Sequence, residues 1–217
     1  MKYYAIVFFI LGALYSVQAQ IVSKTEIAWN ETNRLVLDDF KKIKGKNQSE
    51  FVALTYAYIN YSIIKTDTAI QKEKITKTEH GIVKIVSTIE SNKKCVLNIQ
   101  AVFSKTASWV GIEFLNDKTL KHEQKHFDVV EIMARMFRKE VIKKLKKGKC
   151  NIDLKDLKSK YTGLFNRLNR KYDKQTNHSI NKAAQKKWEE EIIPKMLDKL
   201  KEYSSPNITI SNCGCIH

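Results

Sequence analysis

The chain has 217 residues, of which 39 are lysine or arginine and 23 are aspartate or glutamate, so its formal net charge is +16 at pH 7. This length is enough for one sizeable domain or two closely packed lobes. With only 7 glycines and 2 prolines, and with no internal repeat, long flexible linkers are not expected. The positive charge favours anionic partners, but no nucleic-acid motif accompanies the lysines, so specific nucleic-acid binding is not predicted.

The first 19 residues have the pattern of a cleavable signal peptide. Lys2 supplies the positive start, an apolar run of 11 residues extends from Ala5 to Tyr15, and Val17-Gln18-Ala19 is a small-residue cleavage site. The run is short for a membrane span. We therefore expect a secreted or periplasmic protein of about 198 residues with no transmembrane segment after cleavage. An uncleaved anchor is the alternative.

Residues 20–115 are predicted to form mainly antiparallel β structure. Aromatic, β-branched and alternating apolar residues mark four strand-like segments, which cover residues 51–59, 82–89, 95–103 and 109–114. Turn signals at 79–81 and 90–93 separate the middle segments. His80 is interpreted as a residue of the first of these turns.

Residues 116–203 show apolar residues at helical spacing. Asn116 is a capping candidate for a first long helix that Gly148 closes. A second helix is predicted over 153–172 and a third begins near Ala183, with a kink at Pro194. Strands followed by helices predict an α+β fold, in which an N-terminal antiparallel sheet packs against a C-terminal lobe of three helices. The tail, 204–217, contains cysteines.

We expect residues 20–217 to form one compact domain, in which the helical region 116–203 contains the candidate zinc-binding residues.

The segment His122-Glu123-Gln124-Lys125-His126 lies near the start of the first predicted helix. Two histidines four residues apart share one helix face, so both imidazoles can reach one metal ion. The adjacent Glu123 then lies where it can take a proton from a water molecule, which is the arrangement of zinc hydrolases. Two solvated residues on a charged helix, or a satisfied pair of core histidines, are the alternatives.

A catalytic zinc site needs three protein ligands, and this segment supplies two. We predict His178 as the third, because an antiparallel return of the second helix can bring the break after it close to His122. Asp173 is the alternative third ligand, or a residue that orients an imidazole. A polar loop histidine with no such role is the remaining interpretation of His178.

Two further residues are assigned supporting roles. Tyr172 is a candidate for stabilising an oxyanion, although its place in the apolar stripe of the second helix is equally compatible with packing. Asp128 is rotated by roughly 200° from His126 around the helix, so it cannot share the metal-facing side. We expect it to cap, or to form a salt bridge with Arg135 or a neighbouring strand.

The four cysteines, Cys95, Cys150, Cys213 and Cys215, are interpreted as structural. In an exported chain they suggest disulfides, for which three connectivities are possible. Because Cys213 and Cys215 flank a single glycine, a bridge between them would be strained. We expect one of them to pair with Cys150 or Cys95 and so hold the tail to the body of the protein.

These features together resemble the domain-of-unknown-function family 922, exported bacterial proteins described as zinc-dependent proteases. The resemblance spans roughly residues 27–195 and depends on the following residues: Trp29, Arg34-Leu35, Leu37-Asp38-Asp39-Phe40, Phe103, Ser108-Trp109, Leu120, His122-Glu123-Gln124, His126-Phe127-Asp128, Glu131, Ala134-Arg135, Tyr172-Asp173, Thr176, His178, Gln185 and Trp188. Ser179 stands where the family has a glycine. The resemblance implies an exported zinc-binding protein with this fold and site.

The sequence therefore predicts a Zn²⁺-dependent hydrolase, most simply a peptidase that acts on a peptide or protein substrate with Glu123 as general base. A non-catalytic protein of the cell envelope, with a structural metal and a basic helical surface, is the alternative. The lysine-rich run at 143–149 would then bind anionic envelope polymers. A solvated helix end, favoured by the helix dipole, is the simpler interpretation of that run.

Overall fold

The computed structural model describes residues 24–44, 52–77 and 83–210, and it describes their side chains except in 65–77 and 83–94. The fold is α+β, with an antiparallel sheet in the N-terminal part and three helices in the C-terminal part. This confirms the predicted fold class at that level. The signal-peptide prediction and those for His80, Cys213 and Cys215 concern positions outside the described residues.

The main sheet is built on two long antiparallel strands, β4 (Ala57–Lys77) and β5 (Val83–Ser104). Two short strands, β1 (Glu26–Ala28) and β7 (Asn207–Ile210), also pair with β5. The turn predicted at 90–93 is wrong, since these residues lie within β5 and pair with residues 67–70 of β4. Their polar composition is typical of a turn, but the long ladder of cross-strand backbone hydrogen bonds overrides that local preference.

A second, smaller sheet lies beside the first. It contains β2 (Lys41–Ile43), β6 (Trp109–Gly111) and β3 (Ala53–Leu54), with β6 in the middle, parallel to β2 and antiparallel to β3. The segment predicted as one strand over 51–59 is thus divided between two sheets. The strand predicted over 109–114 ends at Gly111, because Ile112–Phe114 form a 3₁₀ turn.

The C-terminal part contains two long helices and one interrupted helix. Helix α1 (Asp117–Lys146) is capped by Asn116, whose side-chain oxygen accepts from the amide of Thr119 at 3.0 Å. Helix α2 is longer at its C-terminal end than predicted; the remaining segments are short. Their bounds are α2 Leu154–Thr176, α3 Lys182–Lys187, a π-helical turn Trp188–Ile192, α4 Ile193–Asp198 and a 3₁₀ turn Lys201–Tyr203. The π turn ends two residues before Pro194, where a kink is predicted from the missing backbone donor.

Helix α1 packs against β4 and β5 on one side and against α2 and α4 on the other. Aromatic contacts mark both sides: the Phe127 ring lies 5.8 Å from Phe103 of β5, and Phe137 lies 5.7 Å from Tyr161 of α2. Because α1 is covered on several sides, many of its polar residues are buried as well. In the part of the chain that the structure describes, no helix is long and apolar enough to cross a membrane.

Candidate metal centre

The candidate metal centre lies where the start of α1 meets the end of α2. His122, Glu123 and His126 belong to the first turns of α1, whereas Asp173 belongs to the last turn of α2. The antiparallel return of α2 brings these ends together, as the lengths of the predicted helices suggest. All four residues line one cavity of about 520 Å³.

Three potential ligand atoms form a nearly equilateral triangle. The Nε2 atoms of His122 and His126 are 3.1 Å apart, and each is 3.3 Å from Oδ1 of Asp173. Donors bound tetrahedrally at zinc distances are separated by about 3.3–3.5 Å. The triangle therefore has the dimensions of one face of a tetrahedral zinc site.

The outer nitrogens of both imidazoles are held by side-chain amides. Nδ1 of His122 lies 3.1 Å from Oε1 of Gln185, and Nδ1 of His126 lies 2.6 Å from Oδ1 of Asn169. Because an amide oxygen only accepts hydrogen bonds, each Nδ1 must carry the proton. Both Nε2 lone pairs then point towards the carboxylate of Asp173, an arrangement that requires a cation or an added proton between them.

Two buried oxygens have no hydrogen-bond partner among the described residues, and both belong to this site. They are Oδ1 of Asp173 and Oε2 of Glu123. An unpaired carboxylate oxygen is costly in a protein interior. A divalent cation beside Asp173 would remove part of this cost, so the residues present fit a bound metal.

The electrostatics of the side chains indicate the same site. Burial opposes protonation of His126, but the neighbouring carboxylates of Asp173 and Glu123 outweigh it and raise its pKa to about 9. Burial likewise opposes ionisation of Asp173, yet the two neighbouring imidazoles lower the pKa of its carboxyl well below the ordinary range. The site thus has a strongly negative potential that attracts either a proton or a metal cation.

Glu123 is positioned beside the triangle rather than in it. Its side chain is buried, and one of its carboxylate oxygens lies within 4.8 Å of ligand nitrogens of His122 and His126. The hydroxyl of Thr55 donates to the backbone carbonyl of Glu123 at 3.2 Å and connects this turn of α1 to the segment between β3 and β4. A carboxylate here can accept a proton from a water molecule bound in the cavity.

His178 lies at the mouth of the cavity. Its side chain is 51% exposed, and its Nδ1 is 3.7 Å from Oδ1 of Asp173. One ring nitrogen of His178, one of His122 and a carboxylate oxygen of Asp173 all lie within 4.8 Å of one another. Asp173 therefore fits the third ligand position better than His178, which the sequence favours, while His178 is placed to act as an additional ligand.

The loop that presents His178 has an unusual backbone. Asn177, His178 and Ser179 all have positive φ, of 45°, 48° and 70°. Left-handed conformations are unfavourable for residues with a Cβ atom, and the glycine expected at position 179 from the family resemblance would adopt this one without strain. The backbone after α2 is therefore held in place by its surroundings, as is common at functional sites.

Tyr172 is fully buried, and its ring stacks on that of His122 with centroids 4.8 Å apart. Its hydroxyl donates to the backbone carbonyl of His122 at 3.3 Å and accepts from Nε2 of Gln185 at 2.8 Å. Burial raises its pKa, so the hydroxyl stays protonated. The hydroxyl thus contacts the backbone of His122 and the amide that binds Nδ1 of His122, which favours an orienting role over the predicted contact with an oxyanion.

Asp128 does not touch the imidazoles. It accepts hydrogen bonds from Trp29 Nε1 at 2.9 Å, Arg34 Nη2 at 2.7 Å and Gln124 Nε2 at 3.0 Å. Arg135, which the sequence predicts as one possible salt-bridge partner of Asp128, binds Glu131 instead, with its Nε 2.9 Å from the carboxylate. Asp128 therefore anchors the N-terminal segment to the helix that carries the histidines.

The sequence reasoning missed Asn169 and gave Gln185 no role of its own, although both hold an imidazole. Asn169 precedes Asp173 by four residues, so the helical repeat places both on one face of α2 and could have revealed it. Gln185 lies on α3, and no local pattern connects that helix to His122.

Comparison with known proteins adds no relative: no family model, no curated protein and no solved structure matches the chain. The site therefore has to be interpreted from its own geometry, and the resemblance to the domain-of-unknown-function family 922 stays a proposal.

Proposed function

We propose that the protein is an exported zinc-dependent hydrolase, most simply a metallopeptidase, with His122, His126 and Asp173 as metal ligands. One observation carries the proposal: three potential ligand atoms lie 3.1, 3.3 and 3.3 Å apart, and one of them, the buried Oδ1 of Asp173, has no hydrogen-bond partner in the described chain. The segment His122–His126 supports it as a zinc-hydrolase motif. The resemblance to family 922 agrees with this assignment.

Zinc bound at this position supplies Lewis acidity towards water and towards a carbonyl group. Asn169 and Gln185 hold the imidazoles with Nδ1 protonated, so that both Nε2 atoms are available as ligands. Tyr172 keeps Gln185 and the ring of His122 in place. Glu123 accepts the proton of the attacking water and delivers it to the leaving amine.

The surroundings of the site favour a peptide as substrate. Val52 and Leu54 of the segment around β3 and Ile180 after α2 line the cavity, and each is exposed by at least 39%. Exposed apolar side chains around a concave site favour binding of a substrate with apolar groups. These residues would contact the side chains on either side of the bond that is cleaved.

A structural metal site in a non-catalytic envelope protein is the second candidate, and the position of His178 favours it. With Nδ1 3.7 Å from Oδ1 of Asp173, His178 could become a fourth protein ligand and close the site. A closed site leaves no position for a reacting water. Activity of the zinc-loaded protein separates the two candidates.

The test of the proposed function is Glu123→Gln. We expect zinc content and folding to stay nearly intact while hydrolysis of an unstructured protein such as casein falls by roughly 100- to 10,000-fold. Glu191→Gln, at an exposed position, is the matched control and should keep full activity. Full activity of Glu123→Gln contradicts the catalytic role, and loss of both zinc and fold indicates a structural site.

A further inference from the structure

A second cavity lies beside the C-terminal half of α1, away from the candidate metal centre. It has a volume of about 680 Å³ and lies between α1, α2 and the end of α4. Its nearest residue on α1, Met136, follows His126 by ten positions, which corresponds to about 15 Å along the helix. The volume is typical of sites for small molecules.

The floor of this cavity is apolar. Tyr161 and Leu200 are buried, whereas Met136 and Met196 are partly buried and pack against the core. Methionine side chains are flexible and polarisable, so they adapt to apolar ligands of irregular shape. A hydrocarbon chain on this floor would displace water from apolar surface.

The rim is strongly basic. Seven lysines contribute to it: Lys139, Lys143, Lys144, Lys147, Lys149, Lys160 and Lys199. The rim has one acidic residue, Glu140, whose Oε2 binds Lys160 Nζ and the Tyr161 hydroxyl, each at 2.6 Å. Among the described residues, Lys160 alone of the seven lies within ion-pair distance of a carboxylate. The others are placed to bind an anion.

The dipole of α1 accounts for only part of this charge. Lysines are favourable in the last turn of a helix, and Lys143 and Lys144 are there. Lys160 belongs to α2, and Lys199 follows α4. Basic side chains from three helical segments therefore converge on one apolar hollow, which solvation of a single helix end does not explain.

We propose that this lysine-rimmed cavity binds an anionic amphiphile, a molecule with a phosphate head group and a hydrocarbon chain. The lysines hold the head group through charge-assisted hydrogen bonds, and the chain packs on Met136, Met196 and Leu200. An acidic polymer of the envelope would use the charge alone and leave the apolar floor in water. The two ligand classes therefore differ in whether binding depends on an apolar chain.

The test measures binding to the full chain by titration calorimetry, with all probes below their micelle concentrations. The probes are dodecyl phosphate, octyl phosphate, inorganic polyphosphate and the uncharged dodecyl maltoside. Each buried methylene contributes roughly fourfold in affinity. We therefore expect dodecyl phosphate to bind at least about tenfold more tightly than octyl phosphate, and more tightly than either remaining probe.

Matched variants locate the site. The double change Lys143→Gln and Lys147→Gln should weaken dodecyl phosphate binding by about tenfold or more. The control, Lys146→Gln with Lys155→Gln, removes the same charge at exposed positions that do not line the cavity, and it should change binding by less than about threefold. Met196→Gln should reduce the difference between the two alkyl phosphates.

Three results overturn the proposal. Polyphosphate binding as tightly as dodecyl phosphate, with no effect of chain length, assigns the lysines to a polymeric anion. If dodecyl maltoside binds as tightly as dodecyl phosphate, the lysines do not contribute to binding. Equal loss in the cavity variant and in its control shows that net charge, and not this cavity, determines binding.

Discussion

At the scale of single residues, Asp173 determines the properties of the candidate metal centre. Its Oδ1 lies 3.3 Å from two imidazole nitrogens and 3.7 Å from a third, and its carboxyl pKa is held well below the ordinary range by His122 and His126 despite the opposing effect of burial. The carboxylate is therefore ionised at neutral pH and supplies the charge that a cation needs.

The third ligand can be identified by comparing Asp173→Asn with His178→Ala. Removal of an outer partner of a metal ligand typically costs 10- to 100-fold in affinity. Asp173 is proposed as a ligand itself, so we expect Asp173→Asn to weaken zinc binding by about 100-fold or more. His178→Ala should weaken it by less than about tenfold, because the side chain is 51% exposed at the mouth of the cavity. Competition with a fluorescent zinc chelator measures both values, and the reverse order would restore His178 as the third ligand.

The stability of the metal-free protein should decrease at alkaline pH because of His126. Its pKa is raised from 6.5 to about 9 in the folded state, so its contribution is complete below about pH 6.5 and is lost as the pH rises through about 9. We expect a loss of about 2–3 kcal/mol between pH 6 and pH 10. Urea unfolding in the presence of EDTA measures it.

The matched control for this pH dependence is Asp173→Asn, which removes one of the two carboxylates that raise the pKa of His126. The variant should be less sensitive to pH over the same range. An equal loss of stability in the variant and the parent protein would show that other groups cause it.

At the scale of elements, α1 connects all parts of the fold through buried polar residues. Arg138 donates from Nη1 to the carbonyl of Ile99 in β5 at 2.7 Å and from Nε to the carbonyl of Tyr203 at 2.6 Å. Arg135 donates to the carbonyl of Leu197 at 2.9 Å. Glu131 accepts from both arginines. The helix that carries the histidines is therefore fixed to the sheet and to α4 by directed bonds.

Asp128 fixes the N-terminal segment to the same helix, and Asp128→Asn tests this. Burial opposes its ionisation, but Arg34 and Lys125 outweigh that effect and lower its pKa. Loss of the buried charge leaves Arg34 without its partner, so we expect a loss of about 2–4 kcal/mol in the free energy of unfolding. Chemical denaturation measures it.

Asp38→Asn provides the control for that element. The carboxylate of Asp38 is 85% exposed and pairs with Lys42 at 2.7 Å, so its loss should leave the free energy of unfolding nearly unchanged. Similar costs for the two variants would contradict the anchoring role of Asp128.

At the scale of the whole molecule, the C-terminal strand β7 returns to the main sheet, which is formed mostly by the N-terminal part of the chain. Strand β7 pairs with β5, and Ile210 lies opposite Cys95. Neither Cys95 nor Cys150, the two described cysteines, is a free thiol. We propose that disulfides from Cys213 and Cys215 hold this returning segment to the body of the protein.

Peptide mapping without reduction tests these disulfides. It should give cross-linked peptides that join the tail to Cys95 or Cys150, and reduction should lower the free energy of unfolding by about 2–4 kcal/mol. Complete alkylation of all four cysteines before reduction would show that none of them is in a disulfide, and it would contradict the proposal. Substitution of both tail cysteines by serine should reproduce the effect of reduction in the parent protein.

The sequence by itself determined the features that depend on local spacing. The three- and four-residue repeat of apolar positions predicts α1 and α2, and Asn116 and Gly148 mark the ends of the first, because helix formation and capping depend on residues within a few positions. The pairing of His122 with His126 and the position of Glu123 follow from the same repeat. The sequence also indicates Asp173 as a possible ligand, but it favours His178.

Only the tertiary structure decided the features that depend on distant residues. The continuity of β5 through 90–93 depends on its partner strand, and the division of 51–59 between two sheets depends on β6. Which of Asp173 and His178 completes the triangle depends on how far the last turn of α2 returns towards α1. Gln185 reaches His122 only because α3 packs against α2. Such contacts are determined by packing, in which many side chains must fit simultaneously, and a local pattern does not contain that information.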